Sequence, residues 1–169
     1  IAANALFLHA TGFPEQITMR DLVSTYVYPN TLVVKQVTGK VLREYLEKDA
    51  EFFTACDGQI IVSPQYDYPK PQHFNYDMLD GIEYTICVSN PIGSRITRLT
   101  RFGKDIADDE VFTLAVNNYR AAGGGNFNMI KTAPIVKEIQ NSMVEILAEY
   151  IMKHPVIDFE PVNNIQVVL

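Results

Sequence analysis

The sequence is poor in cations, in cysteine and in long apolar stretches. Fourteen Lys+Arg against twenty Asp+Glu leave a net charge of −6. A nucleic-acid polymer calls for a positive footprint that releases counterions, and that footprint is missing. A small anionic ligand stays open, because it needs only a local cluster of cations. The two cysteines, Cys56 and Cys87, lie far apart and form no Cys-x-x-Cys, which removes zinc ribbons and dithiol redox motifs. One disulfide could join them, but free thiols are the plainer reading, since a chain this long builds a core without staples. Cys87 falls in a β-run and Cys56 at the end of a helix. The three histidines, His9, His73 and His154, are scattered with no carboxylate at helical spacing, which argues against a metal site built from this chain alone. No apolar run approaches the ~20 residues of a membrane span. Ile1 to Ala10 lack a basic region and a start methionine, so they do not read as a signal peptide. A chain that opens at isoleucine reads as a fragment or a processed piece. There is no Gly-x-Ser-x-Gly elbow, no Gly-Lys-Ser/Thr and no G-x-G-x-x-G, and no Ser/His/Asp triad can be assembled. No catalytic residue is assigned.

What is present is globular. The 169 residues are 47% hydrophobic, 20% charged and 11% aromatic. That is one domain, residues 1–169, able to bury roughly 70% of the surface its unfolded chain exposes. Thr18 to Asp21 has the form of a helix start, predicting a short helix from Met19 to about Thr25. Tyr28-Pro29-Asn30 breaks it, and Thr31–Val37 reads as a buried strand. Val41, Leu42, Tyr45 and Leu46 share one face of a helix that runs to about Phe53. Residues 54–75 read as an aromatic, proline-rich loop, and loops this long are functional or disordered. Gly81–Val88 and Arg95–Thr100 read as strands around a turn at Asn90 to Ser94. Val111–Val116 is polar only at Thr113 and reads as a central, buried strand. After Pro134, the spacing of Ile135, Ile139, Met143, Ile146, Leu147, Tyr150 and Ile151 predicts one helix that Pro155 stops. A last strand is expected at Ile165–Leu169. Helices at both ends of a run of strands give an α+β class.

Recognition chemistry concentrates in two loops. Asn117 to Phe127 carries Gly123, Gly124 and Gly125 in a row at a strand's end. Such a run is either a flexible turn or a place where backbone approaches a ligand that a Cβ would block. Tyr119 and Phe127 flank it. Stacking an aromatic on a nucleobase is worth about 1–3 kcal/mol; both rings could equally be core, and for Phe127 core is the preferred reading. The other loop carries Phe74 and Tyr76 beside Asp77 and Asp80.

Four blocks occur in order: Tyr28 to Val34, Gly39 to Glu47, Phe74 to Gly81 and Asn117 to Gly125. Across roughly Ile17 to Ile151 they resemble the C-terminal domain of the bacterial 5′-nucleotidase family. The Tyr-Pro-Asn-Thr-Leu and Asn-Asn-Tyr-Arg-Ala blocks point to its 2′,3′-cyclic-nucleotide 2′-phosphodiesterase/3′-nucleotidase branch. The resemblance implies a four-layer α-β-β-α fold that binds the nucleoside between two aromatic rings. One maps to Phe74, with Tyr76 as its neighbour, and the other to Tyr119. Asn117, Arg120, Gly123, Gly124 and Gly125 join them as substrate-binding candidates.

Family members are secreted, periplasmic or wall-attached phosphoesterases. Their N-terminal metallophosphatase domain holds two divalent metal ions and performs the hydrolysis. Its motifs, Asp-x-His, Gly-Asn-His-Asp/Glu and Gly-His-x-His, do not occur in this chain. The resemblance therefore implies a substrate-recognition domain with no metal or cofactor of its own, partnered by the metallophosphatase domain of the same polypeptide and by a nucleotide or nucleoside. In 5′-nucleotidases the glycine loop reads Gly-Gly-Asp-Gly, and the aspartate binds ribose. Gly125 stands there, which favours the cyclic-nucleotide branch. A 5′-nucleotidase specificity domain and a stand-alone nucleoside-binding module are the alternatives.

Overall fold

A computed structural model describes residues 1–7, 12–158 and 162–169. His9, and part of the N-terminal stretch read above as no signal peptide, lie outside the described residues. In chain order the elements are β1 (Ala2–Ala5), α1 (Met19–Thr25), β2 (Thr31–Thr38), α2 (Gly39–Ala50), β3 (Phe53–Cys56), β4 (Gln59–Val62), β5 (Asp77–Asp80), β6 (Glu83–Cys87), β7 (Ile96–Arg101), β8 (Lys104–Asp105), β9 (Val111–Asn117), α3 (Asn118–Ala121), β10 (Ile135–Ser142), α4 (Met143–Lys153) and β11 (Ile165–Val168).

The class is α+β. Five strands form one sheet in the order β10-β2-β9-β1-β5, four form a second in the order β11-β6-β7-β8, and β3-β4 is a separate hairpin. Each sheet turns an apolar face to a shared core. Val33, Val37, Leu79, Leu114 and Val116 come from the larger sheet, and Tyr84, Ile86, Ile96 and Leu99 from the smaller. Helix α2 touches β2 and β7, one strand of each sheet, and adds Leu42, Tyr45, Leu46 and Ala50 to the same cluster. Fully burying an aliphatic side chain stabilises by about 1.5–3 kcal/mol, so this cluster is the main source of stability. The start of α2 is set by Thr38, whose hydroxyl accepts the Val41 N–H at 3.3 Å. A second cluster of Phe52, Tyr66 and Tyr76 packs beneath the β3-β4 hairpin and β5.

Several expectations need correction. The segment read as one helix from Ile135 to Ile151 is a strand followed by a helix. Residues 135–142 pair antiparallel with β2, and the true helix start is Ser142, whose hydroxyl and backbone N–H engage Glu145 in a capping box. Residues 54–75 are not all loop: residues 53–62 form the β3-β4 hairpin. Cys56 therefore ends a strand, not a helix. Both cysteines are free thiols, with Cys56 exposed. The strand read over 81–88 is β6, trimmed to residues 83–87, and a separate strand, β5, precedes it at residues 77–80. β9 is central, but only Phe112, Leu114 and Val116 are buried while Val111 faces solvent. No helix among the described residues is long and apolar enough to cross a membrane.

Candidate functional site

Strand directions bring four chain segments to one end of the larger sheet. β1 runs parallel to β9, so Ala5 and Asn117, the last residues of both strands, share that end. β5 runs antiparallel to β1, with Asp77 opposite Ala5, so the residues just before β5 arrive there too. β2 runs antiparallel to β9, with Leu32 opposite Asn117, and brings Tyr28 and Asn30. The result is a pocket of about 110 Å³ lined by Ala5, Phe7, Tyr28, Asn30, Phe74, Asn117 and Tyr119. Tyr119 is 43% exposed. Phe74 packs on Tyr28 with centroids 6.0 Å apart, and Tyr28 on Phe7 at 6.0 Å. Phe7, Tyr28 and Phe74 also wall a neighbouring hollow of about 520 Å³ that Lys70 and His73 line. His73 is paired there with Asp67. The lining is apolar and aromatic with two amides, Asn30 and Asn117, among it, which suits a flat ring carrying hydrogen-bonding groups.

Behind the pocket lies a buried polar cluster. Arg120 is 1% exposed. Its Nε and Nη2 donate to the two Asp77 carboxylate oxygens at 2.7 and 2.8 Å. Nη2 also reaches the Phe74 carbonyl at 3.2 Å, and Nη1 the Gly124 carbonyl at 2.5 Å. The guanidinium lies 3.8 Å from the Phe127 ring centroid. The Tyr45 hydroxyl donates to Asp77 as well. Burial opposes the Arg120 charge, but the Asp77 hydrogen bonds and charge outweigh it and raise its pKa.

Asp49 completes the cluster. Its Oδ1 accepts the Asp77 N–H at 2.9 Å, while its Oδ2 is buried without a partner. Burial, then the Asp77 charge, push its carboxyl well above the usual range. A raised folded-state pKa means that the folded chain keeps a proton which the unfolded chain releases. Stability therefore falls as pH rises from the ordinary carboxylate pKa towards the raised one. Asp49→Asn, nearly isosteric and unable to ionise, is expected to raise the melting temperature at neutral pH and to change it little in acid. Equal melting-temperature differences at both pH values would refute this.

The glycine run supports these side chains. A Cβ on Gly124 would come within 2.5 Å of the Tyr119 ring, and one on Gly125 would collide with Arg120 Nη1 and Asn75 Oδ1. Gly123 and Gly125 also have φ of +87° and +71°, where a side chain is strained. The close approach that these glycines permit is first of all to Tyr119 and Arg120.

The sequence candidates therefore separate. Phe74, Tyr119 and Asn117 line one pocket. Asn117 also caps α3, its Oδ1 accepting the Arg120 N–H at 2.8 Å, and Asn118 Oδ1 accepts the Thr31 N–H at 3.2 Å. Tyr76 does not join them. It is 5% exposed and stacks on Phe52 with centroids 4.7 Å apart: residues 73–75 form a 3-10 turn, so the strand rule that would put residues 74 and 76 on one face does not hold here. Arg120 faces inward, as described. Phe127 is fully buried against Tyr45. Sequence reasoning passed over Phe7, Asn30 and Tyr28 as wall residues. The Tyr28-Pro29-Asn30 block carried a signal, read as a turn and as part of the family resemblance but not as a pocket wall; Phe7 carried none. Among the described residues, no three His, Cys, Asp or Glu side chains are grouped to share a metal ion.

A sequence model described as "5′-nucleotidase, C-terminal domain" matches residues 1–132. A Salmonella typhimurium protein named 2′,3′-cyclic-nucleotide 2′-phosphodiesterase/3′-nucleotidase is 37% identical over 123 residues, which is 64% of this chain and 19% of that protein. A Haemophilus influenzae protein of the same name is 32% identical over 164 residues, 83% of this chain and 24% of that one. The chain thus spans about a quarter or less of these relatives. A crystal structure of a Staphylococcus aureus protein assigned as a 5′-nucleotidase, in complex with alpha-ketoglutarate, superposes with a TM-score of 0.95 at 38% identity, over 99% of this chain and 33% of that one.

Proposed function

The chain belongs to the 5′-nucleotidase C-terminal domain family, and on that premise we propose that it recognises the nucleoside of a nucleotide that a larger phosphoesterase hydrolyses. Its relatives carry hydrolase names, and those from Salmonella typhimurium and Haemophilus influenzae are named for 2′,3′-cyclic nucleotides and 3′-nucleotides. We assign the same substrates to the polypeptide that carries this chain, with a role in nucleotide breakdown. The observation that carries the reading is the pocket at the sheet end, where Phe74 and Tyr119 come from two separate loops. In this reading the base lies between the two. Asn30 and Asn117 supply amides to the same lining. Every base has a π-face, so the pocket tolerates all of them.

The residues of this chain hold the base and shield it from water. The two divalent ions that the reaction calls for are assigned to the metallophosphatase part of the same polypeptide. An extracellular, periplasmic or wall-associated location accompanies this assignment. The likeness to the Staphylococcus aureus protein favours a second reading, the specificity domain of a 5′-nucleotidase. Turnover of 5′-AMP, 3′-AMP and 2′,3′-cyclic AMP by the full-length polypeptide separates the two.

The binding claim is tested on the chain directly. Titration with adenosine is expected to saturate, and ring-proton resonances of Phe74 and Tyr119 should move upfield as the base stacks on them. Saturable binding that moves neither ring would place the nucleoside elsewhere, and no binding at millimolar adenosine would remove the proposal.

A further inference from the structure

Arg120 invites the reading of a phosphate ligand, being a cation in a nucleotide-binding loop. The geometry points to a different role: Arg120 and Asp77 are a positioning pair that fixes the separation of the two ring-bearing loops. This inference rests on the nucleoside-binding reading above and names what sets the width of that pocket.

Arg120 has no free face for a ligand. A guanidinium carries five N–H donors. Two of its hydrogen bonds go to Asp77, one to the Phe74 carbonyl and one to the Gly124 carbonyl. Phe127 covers one side of its plane. The two carbonyls are the significant contacts. Phe74 supplies one wall of the pocket, and Gly124 lies directly against Tyr119, the other wall. One rigid planar group thus ties the backbone beneath one ring to the backbone beneath the other. Asp77 fixes that group in turn, through a bidentate pair from the first residue of β5. A third tie runs directly between the loops, from the Tyr119 hydroxyl to Asn75 Oδ1 at 3.4 Å. Lysine cannot replace the arginine, because a single ammonium does not present a planar fork to three acceptors.

The experiment uses the whole 169-residue chain, with adenosine and adenosine 3′-monophosphate as probes and Kd read by calorimetry. Arg120→Lys keeps a cation opposite Asp77 but cannot hold both carbonyls. It is expected to raise Kd about tenfold or more for both probes alike, as one stacking wall drifts. A phosphate ligand would lose affinity for the monophosphate only. That result would overturn the proposal, as would an unchanged Kd for both probes. Gly125→Ala is the second variant, decisive if Arg120→Lys does not fold. Its Cβ displaces Nη1 while both charges of the pair remain. It too should weaken both probes equally, and wild-type binding by this variant would refute the positioning role. Tyr119→Ala separates the two layers of the argument. If it loses adenosine affinity while Arg120→Lys does not, the pair is not a brace and the clamp stands. If it binds adenosine as the wild type does, the clamp falls and the brace with it.

Discussion

Replacing Asp77 by asparagine should cost about 3–5 kcal/mol of stability, because it leaves the Arg120 charge buried without a counter-ion. The carboxylate is almost wholly buried, and it accepts from Arg120 twice and from Tyr45 once. Asparagine retains one acceptor oxygen and turns a donor amide towards the guanidinium or the tyrosine hydroxyl. Set against a typical total of about 5–15 kcal/mol, that is a large fraction. Urea unfolding would show it as a lower midpoint at unchanged slope. Exposed ion pairs are worth only about 0–1 kcal/mol, so a loss inside that range would mean that water reaches Asp77 and the cluster is not a buried unit.

The fold was legible where local chemistry and tertiary structure agree. Leu42, Tyr45 and Leu46, one apolar face in the sequence, lie on the buried side of α2 in the structure. The β-branched run from Thr31 forms β2 as expected. The failure after Pro134 has a specific cause. Apolar residues at 135, 139, 143 and 146 fit a helical period, yet β2 offers residues 135–142 a strand partner, and pairing overrides a spacing that both structures can satisfy. The signal that resolves it is Ser142 with Glu145, a capping box in the middle of the apparent helix. The β3-β4 hairpin had an equally local mark. Asp57-Gly58 stands between Phe53–Cys56 and Gln59–Val62, and both turn residues have positive φ, 50° and 74°. Asp-Gly between apolar runs is a strong hairpin signal, obscured by the prolines that follow.

The site was half legible for a different reason. Phe74 and Tyr119 stand beside turn residues, so an aromatic there is a recognisable oddity. Phe7 has no such context. It reaches the pocket only because β1 is inserted between β9 and β5, an arrangement that no local pattern encodes. Tyr76 shows the converse. Two aromatics at i and i+2 share a face in a strand, but the 3-10 turn at residues 73–75 breaks that rule and leaves Phe74 on the pocket and Tyr76 on Phe52. Arg120 reads as a ligand in sequence because its partner, Asp77, is distant along the chain.

Removing the Tyr119 ring should then weaken nucleoside binding by about 1–3 kcal/mol, roughly 5- to 150-fold in Kd. The loss should be similar for adenosine, guanosine, cytidine and uridine, because stacking uses the face of the base and not its edge pattern. Phe74→Ala should behave alike, since it removes the opposite wall. The cost to folding is small for Tyr119, a residue 43% exposed whose ring lies against Gly124. Tyr76→Ala supplies the contrast. That ring belongs to the buried cluster with Phe52 and Tyr66, so its removal should lower the melting temperature while the folded fraction keeps its affinity. Calorimetric titrations of the three variants, each beside a thermal melt, distinguish pocket from core residue by residue. A Tyr119→Ala chain that loses affinity for one base only would show that the hydroxyl or a neighbouring amide reads the base edge, and that stacking is not what holds the ligand. If Tyr76→Ala lost affinity at unchanged stability, the division between inner cluster and pocket would have to be redrawn.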